Sequence, residues 1–293
     1  MISINPAEVS TAKFHSILLG SVGPRPIAFA STIDSNGRPN LSPFSFFNAF
    51  GANPPTLVFS PARRVRDNTT KHTLENVRNI PEVVINVVTY PMVYQASLAS
   101  VEYPEGVSEF EKAGFTPLVS EMVSPFRVKE SPVQYECKVK QIIETGDQGG
   151  AGNLVICEVV LVHINEAVMD ASQNIDQQKI DLVARMGGNW YCRAHGAALF
   201  EVEKPVSTVG IGIDNIPEAI RFSPVLTGNN LGQLGNVEKL PDEDELKQFK
   251  ESGALELLLE ATPYADFANH RLAQQLLSDG KVTLAWKVLL SSL

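Results

Sequence analysis

Several short apolar runs rich in β-branched residues, joined by turns and not by regularly alternating helices, decide what this chain can fold into. The clearest is residues 154–164, Leu-Val-Ile-Cys-Glu-Val-Val-Leu-Val-His-Ile, almost uncharged and suited to a buried strand. Residues 133–144 place Val133, Tyr135, Cys137 and Val139 at period two, the signature of a half-buried strand. Residues 83–88 and 56–60 read as further strands. Residues 27–33 read as a strand entering a hairpin turn at Asp34-Ser35-Asn36-Gly37, because Asn-Gly tolerates positive φ. About six strands without strand–helix alternation imply a mainly β, antiparallel barrel with peripheral helices, and argue against a doubly wound sheet.

The helical signals lie between and after these strands. Residues 7–19 have helical apolar spacing, stopped by Gly20; residues 73–80 form a helix ending before Pro81. Shorter helices are expected over 93–101 and over 108–113, the latter closed by Gly114, and residues 114–132 read as a packed excursion over the barrel mouth. After Pro205 the character changes. Residues 210–213 and 226–232 are glycine-punctuated, but no strand precedes either in a βαβ context, which excludes a nucleotide loop. An acidic first turn, Asp242-Glu243-Asp244-Glu245, suits a helix dipole and opens a helical region running to about residue 262. Helices over 266–277 and 281–293 follow. The expected division is a barrel domain over 1–204 and a largely helical C-terminal extension over 205–293, packed on the barrel or at a dimer interface.

In 293 residues with 44% hydrophobic and 19% charged side chains, the composition is that of a globular protein. A net charge of −9 argues against non-specific nucleic-acid binding and against an anionic membrane surface. Cys137, Cys157 and Cys192 are odd in number and lack metal-ligand spacing, so free thiols are expected and no metal site. The N-terminus lacks a basic stretch followed by a long apolar run, and no stretch reaches transmembrane length, so a cytoplasmic location is expected.

Chemistry concentrates in residues 22–73. Ser42-Pro43-Phe44-Ser45-Phe46-Phe47-Asn48 packs three phenylalanines among small hydroxyl residues, with no charge between Leu41 and Ala62. Such a segment suits a backbone laid against a flat, partly apolar ligand; it equally suits a bulged strand whose phenylalanines fill the core. Downstream, Ser60, Arg63, Arg64, Arg66, Lys71, His72 and Thr73 bring hydroxyls and positive charge to a helix start, where unpaired N–H groups favour an anion. The alternative there is a solvated basic loop with Thr73 as an N-cap. A flat-ligand segment beside an anion segment fits flavin mononucleotide (FMN).

These residues resemble the flavin reductase-like family, whose fold is the FMN-binding split β-barrel. The resemblance rests on residues 24–32, 40–48, Pro54-Pro55, Lys71-His72-Thr73 with Asn76, residues 83–87, and Arg185-Met186-Gly187-Gly188 ahead of Tyr191. It covers roughly the first two-thirds of the chain. It implies that the backbone of residues 42–47 borders the isoalloxazine edge, with Ser45 and Asn48 adding side-chain bonds. Ser60, Lys71, His72 and Thr73, assisted by Arg63 or Arg66, would surround the phosphate. Arg185 is a candidate for an anionic group near the flavin or substrate mouth, or a surface arginine before a turn. Two departures stand out: His72 replaces the more usual acidic residue, and the loop Gly150-Ala151-Gly152-Asn153 lacks the Gly-Asp-His histidine that many flavin reducers place near the nicotinamide.

The resemblance further implies a homodimeric flavoprotein oxidoreductase that takes hydride from NADH or NADPH and passes electrons to free flavin, oxygen or a small-molecule electron acceptor. No residue is assigned a catalytic role. The alternatives are a flavin-dependent oxygenase or reductase for a particular small molecule, and a non-catalytic FMN-binding protein.

Overall fold

The strand-forming runs pair in an order that forces the sheet to curl. The computed structural model describes residues 1–104, 106–202, 209–260 and 266–293. Helix α1 (Thr11–Ser21) precedes β1 (Ala28–Ile33), β2 (Pro39–Phe44), β3 (Phe47–Ala52) and β4 (Pro55–Phe59); then come α2 (His72–Asn79), β5 (Glu82–Val87), α3 (Val93–Leu98) and α4 (Glu109–Ala113). A two-stranded pair β6 (Pro117–Leu118) and β7 (Arg127–Val128) leads to the long strands β8 (Val133–Glu144) and β9 (Asn153–Ile164), and a hairpin β10 (Leu182–Arg185) and β11 (Tyr191–Ala194) follows. Seven strands form one antiparallel sheet in the order β2-β1-β5-β8-β9-β4-β3. β2 and β3 end that order on opposite sides, yet only Ser45 and Phe46 separate them in sequence. Three Cα–Cα steps span at most about 11 Å, so the two edges must meet and the sheet closes on itself. The Ser60 N–H donates to Phe46 O at 2.8 Å and fastens the joint. The antiparallel barrel with peripheral helices expected from sequence is the observed fold.

Two apolar clusters flank β1, all six of whose residues are buried. Ala28 and Ala30 join Phe44, Leu57, Phe59, Ile85, Cys137, Val155 and Cys157 inside the barrel, which Leu74 and Val77 of α2 close. Phe29, on the opposite face, packs with Leu41, Met92, Phe110 and Phe115 beneath α3 and α4. The α3 helix stops at Leu98 rather than 101, and α4 ends at Gly114, whose φ of 71° needs no Cβ.

β8 departs from the half-buried reading in its first half alone, where Gln134 and Glu136 on the polar face are buried; beyond them Lys138 and Lys140 are exposed, as period-two alternation implies. The excursion over 115–131 lies on that face, donating Glu121 and Met122 N–H groups to the Glu136 carboxylate, while Gln134 Nε2 donates to Val128 and Ser131 carbonyls. His163 Nε2 lies 2.7 Å from Glu136 Oε1. Burial pushes the Glu136 carboxyl up, but the two backbone donors and the imidazole outweigh it and hold it below the ordinary range. His163 therefore has a structural partner, as a lone histidine in that strand suggests.

Met1–Phe200 and Glu201–Leu293 form two separate compact units. The 204/205 boundary and the helix continuation to residue 262 both fall outside the described residues. The second unit comprises α5 (Glu218–Arg221), α6 (Gly228–Gly235), α7 (Glu243–Glu251), α8 (Ala254–Glu260), α9 (Ala268–Ser278) and α10 (Val282–Leu290). They enclose Trp286, whose indole N–H donates to Leu234 O at 3.1 Å. Asp242 caps α7 through a capping box with Glu245, as its acidic first turn implies. The glycine-punctuated segments serve packing: a Cβ on Gly210 would lie 2.5 Å from Gly235 O, so the two backbones touch.

Thiol chemistry follows from burial. Cys137 and Cys157 lie inside the barrel, where burial pushes the Cys157 thiol up to about 12 and Cys137 up as well, whereas Cys192 on β11 is partly exposed. Iodoacetamide on the native protein is expected to alkylate Cys192 alone, and all three thiols after denaturation. Peptide mass spectrometry of the native protein and of Cys192→Ser checks this.

Candidate functional site

The joint between β2 and β3 borders a cleft in the first unit. Pro43 and Ser45 form one wall of a cavity of about 350 Å³, with Ile27, Val88, Val93, Ala96, Ser97 and Ser100 at its sides and Arg185, Asn189 and Tyr191 across from them. Ser100 also lines a narrow recess of about 30 Å³ whose walls carry Arg64, Lys71, His72 and Thr73 with Asn40 and Ser42, and also the carboxylates of Glu102 and Glu109. The recess lies at the N-terminus of α2, whose N-cap residue Lys71 makes no side-chain cap bond. First-turn N–H groups and cations there converge as an anion would need. A further cavity of about 370 Å³ shares Val93, Ser97, Arg185, Asn189 and Tyr191 with the first and extends to Tyr90, Tyr94, Cys192 and Arg193.

A buried polar network fixes α2 behind the recess. Thr73 Oγ1 donates to Asn40 Oδ1 at 2.8 Å, and Asn76 Nδ2 donates to Thr32 Oγ1 at 3.0 Å. Asn40 Nδ2 and the Leu41 N–H donate to the Glu109 carboxylate at 2.9 and 3.0 Å. Burial pushes the Glu109 carboxyl up while these donors pull it down. β1, β2, α2 and α4 are thereby locked around the recess, and Thr73 is an internal strut as well as a recess wall, not an N-cap.

The basic loop before α2 divides its arginines between different tasks. Arg63 donates to Asn68 Oδ1 at 2.6 Å and to Asn68 O at 2.7 Å, so it braces its own loop. Asn68 makes that turn with φ of 58°, a conformation asparagine tolerates. Arg64 instead lines the recess, donating to Thr69 Oγ1 at 2.8 Å and to Thr70 O, with its Nε 2.6 Å from Glu102 Oε1. Arg66 reaches the other Glu102 oxygen at 3.0 Å. Glu102, held below the usual carboxylate range by Arg64 first and Arg66 next, neutralises this charge. Lys71 makes no ion pair among the described residues and sits 5.2 Å from the Phe44 ring centroid.

The remaining expected residues scatter around the joint. Ser42 is buried in the recess wall. Phe44 points into the barrel against Phe59, and Phe47 packs against the same core. Phe46 is turned outward, edge-on to His15 at 6.1 Å, and Asn48 is exposed with its Oδ1 accepting from the Ala49 N–H. Ser60 is buried; its hydroxyl accepts from the Asn153 N–H at 3.0 Å, tying β9 to the strand before the basic loop. His72 is exposed at the recess rim. Arg185 reaches the larger cavity because β10 is tied to the barrel: Arg25 and Arg185 exchange backbone hydrogen bonds at 2.9 Å each, and the buried Arg25 guanidinium donates to Leu19, Val22 and Met186 carbonyls. Sequence reading placed Arg64 in the anion-binding stretch but assigned the contact to Arg63 or Arg66, and it missed Asn40, Ser100, Asn189 and Tyr191 as lining residues. The one available signal was Asn68, a turn-forming residue five positions beyond Arg63 and able to claim its guanidinium.

Comparison with known proteins places these features in context. The sequence profile of the flavin reductase like domain matches residues 20–179. An uncharacterised protein of Aquifex aeolicus is 36% identical over 195 residues, covering 67% of this chain and 97% of its own. Nitrilotriacetate monooxygenase component B from Bacillus cereus superposes with a TM-score of 0.64 at 30% identity, over 69% of this chain and 98% of that one. The 2-nitrobenzoate 2-nitroreductase of Pseudomonas fluorescens gives 0.61 at 26% identity, over 71% and 100%. Among the described residues no cluster of three or more His, Cys, Asp or Glu could hold a metal ion, and no helix is long and apolar enough to cross a membrane.

The electrostatics of the recess set a pH dependence. Burial first, then the Arg64 charge, lower the Lys71 pKa from its usual 10.5. An anion in the recess favours the ammonium form and raises that pKa, so binding takes up a proton at alkaline pH. Affinity for inorganic phosphate, measured by calorimetry, is therefore expected to fall with rising alkaline pH, earlier than a solvated lysine would dictate. Lys71→Met should flatten this profile and weaken phosphate binding about tenfold, the value of one charged hydrogen bond.

Proposed function

Because this chain belongs to the flavin reductase-like family, we propose that it is an FMN-dependent oxidoreductase fed by NADH or NADPH. The observation that carries this reading is the continuity of the cleft. A small recess holding Lys71 and the first turn of α2, with the paired Arg64 and Glu102 in its wall, adjoins, through Ser100, a larger cavity walled by the small residues of the β2–β3 joint. The donor set fits FMN: Lys71, Arg64 and the first turn of α2 would hold the phosphate, and Pro43 and Ser45 would border the ring. When bound, FMN supplies hydride acceptance and one- or two-electron delivery. The chain itself contributes Lys71 and the first turn of α2 at one end, the low wall of Pro43 and Ser45 beside the ring, and Arg185 as a positive charge at the open end. The names of two similar proteins, a monooxygenase component and a nitroreductase, support redox work on a small-molecule acceptor.

A second reading, an FMN-binding protein that does not accept electrons from a nicotinamide, is favoured by the loop at 150–153. It holds no histidine, and its backbone is engaged in bracing the basic loop, with Gly150 N–H donating to Arg63 O and Arg63 N–H to Ala151 O. Anaerobic mixing of FMN-loaded protein with NADH and then NADPH separates the two. Loss of the oxidised-flavin absorbance is expected; retention of the band with FMN still bound would establish the second reading instead.

A homodimer is part of the proposal. Helix α1 buries none of its residues, and Leu18, Val22, Phe46 and Phe50 are exposed on α1, just after it and along the β2–β3 region, with Phe50 69% accessible. A second copy covering this face would account for them. The protein is expected to sediment at twice its chain mass, and Phe50→Glu to shift it to a monomer.

A further inference from the structure

The cavity that extends beyond Arg185 has a chemistry of its own. Its walls are Tyr90, Tyr94, Val93 and Val183, with two guanidinium groups at the edges. Those two cations are not equivalent. Arg193 forms a two-point pair with Asp181, Nε to Oδ1 at 2.7 Å and Nη2 to Oδ2 at 2.8 Å, and lies 3.8 Å from the Tyr90 ring centroid. Its charge is spent. Arg185 lies 4.5 Å from the Tyr191 ring centroid and donates to Gly188 O at 2.8 Å, but no carboxylate among the described residues pairs with it. One uncompensated, ring-supported guanidinium thus stands where the two cavities meet, beside an aromatic and aliphatic chamber of about 370 Å³. A volume of this size suits a small organic molecule.

We infer that this outer chamber is the acceptor subsite and that it takes small aromatic monocarboxylates. The carboxylate would bind Arg185, whose planar fork matches it, and the ring would lie among Val93, Val183 and Tyr94. A single free cation sets the preferred charge at one: a neutral ring leaves Arg185 unpaired, and a dicarboxylate brings a second charge into a wall whose other arginine is already neutralised. The inference rests on the flavin reading, which makes the inner cavity the ring site and the outer one its neighbour.

Benzoate is the probe, titrated calorimetrically into FMN-loaded protein, with benzamide and phthalate as neutral and dianionic comparators. Benzoate is expected to bind at least tenfold more tightly than either. Arg185→Gln should abolish that preference, and Tyr94→Ala, which lies outside the inner cavity, should weaken benzoate several-fold while leaving FMN affinity within twofold of the parent. Benzamide binding as tightly as benzoate would overturn the inference and mark the chamber as a site for a neutral ring such as a nicotinamide. Loss of FMN affinity in Arg185→Gln equal to the loss for benzoate would also overturn it, by making Arg185 a cofactor contact. If the protein takes up no FMN, the flavin reading fails separately. Benzoate quenching of tyrosine fluorescence in the flavin-free protein, with and without Arg185→Gln, then decides the chamber alone.

Discussion

Everything in the first unit depends on one covalent constraint: two residues, Ser45 and Phe46, join the strands at opposite ends of a seven-stranded order. Without that short tether the sheet could remain open, with β2 and β3 as unprotected edges. With it, the sheet must close, and the closure point is also where the cavity opens. The residues of the segment divide between these roles. Phe44 and Phe47 face the barrel core, while Pro43 and Ser45 present a low wall to the cavity. Sequence reading left core filling and ligand contact as alternatives for this segment; alternate residues serve each.

The second requirement is rigidity behind the charges. A cluster of cations repels itself and holds an anion poorly unless the backbone is fixed. Here the Glu109–Asn40–Thr73 chain of hydrogen bonds and the Asn76–Thr32 contact pin α2 against β1 and β2 from within. Arg63 pins the loop from its other end. The side chains free to meet a ligand, Lys71 above all, stand on a frame whose own polar groups are satisfied.

The period-two run 133–144 was legible with its boundaries, and the β-branched run read as 154–164 begins one residue earlier, at Asn153. β3 was not. Phe-Asn-Ala-Phe-Gly-Ala has small residues and a glycine, and it becomes a strand only by pairing with β4, with an irregularity between Ala49 and Gly51. The β10–β11 hairpin is too short to announce itself, and α6 was hidden by its glycines although Thr227 begins it with a capping box. At the site, residue types and region were legible because anion binding needs cations at a helix start. Which arginine faced inward was not, since Arg63 is claimed by Asn68 within its own loop while Arg64 pairs with Glu102, 38 residues away. The recurrence of family motifs pointed to a flavin more than local pattern did.

The strand order also has a consequence in time. The wall of the cleft at the joint and its sides are translated within the first hundred residues, but the strands that bridge β1 to β4 are β5, β8 and β9, and β9 ends at Ile164. Until that residue has left the ribosome, the β1–β2 and β3–β4 hairpins have no sheet connecting them around the barrel. The barrel's closing contacts are therefore of long sequence separation, a topology that folds slowly. The nascent chain must keep its apolar hairpins from pairing elsewhere while the middle of the sheet is still being made.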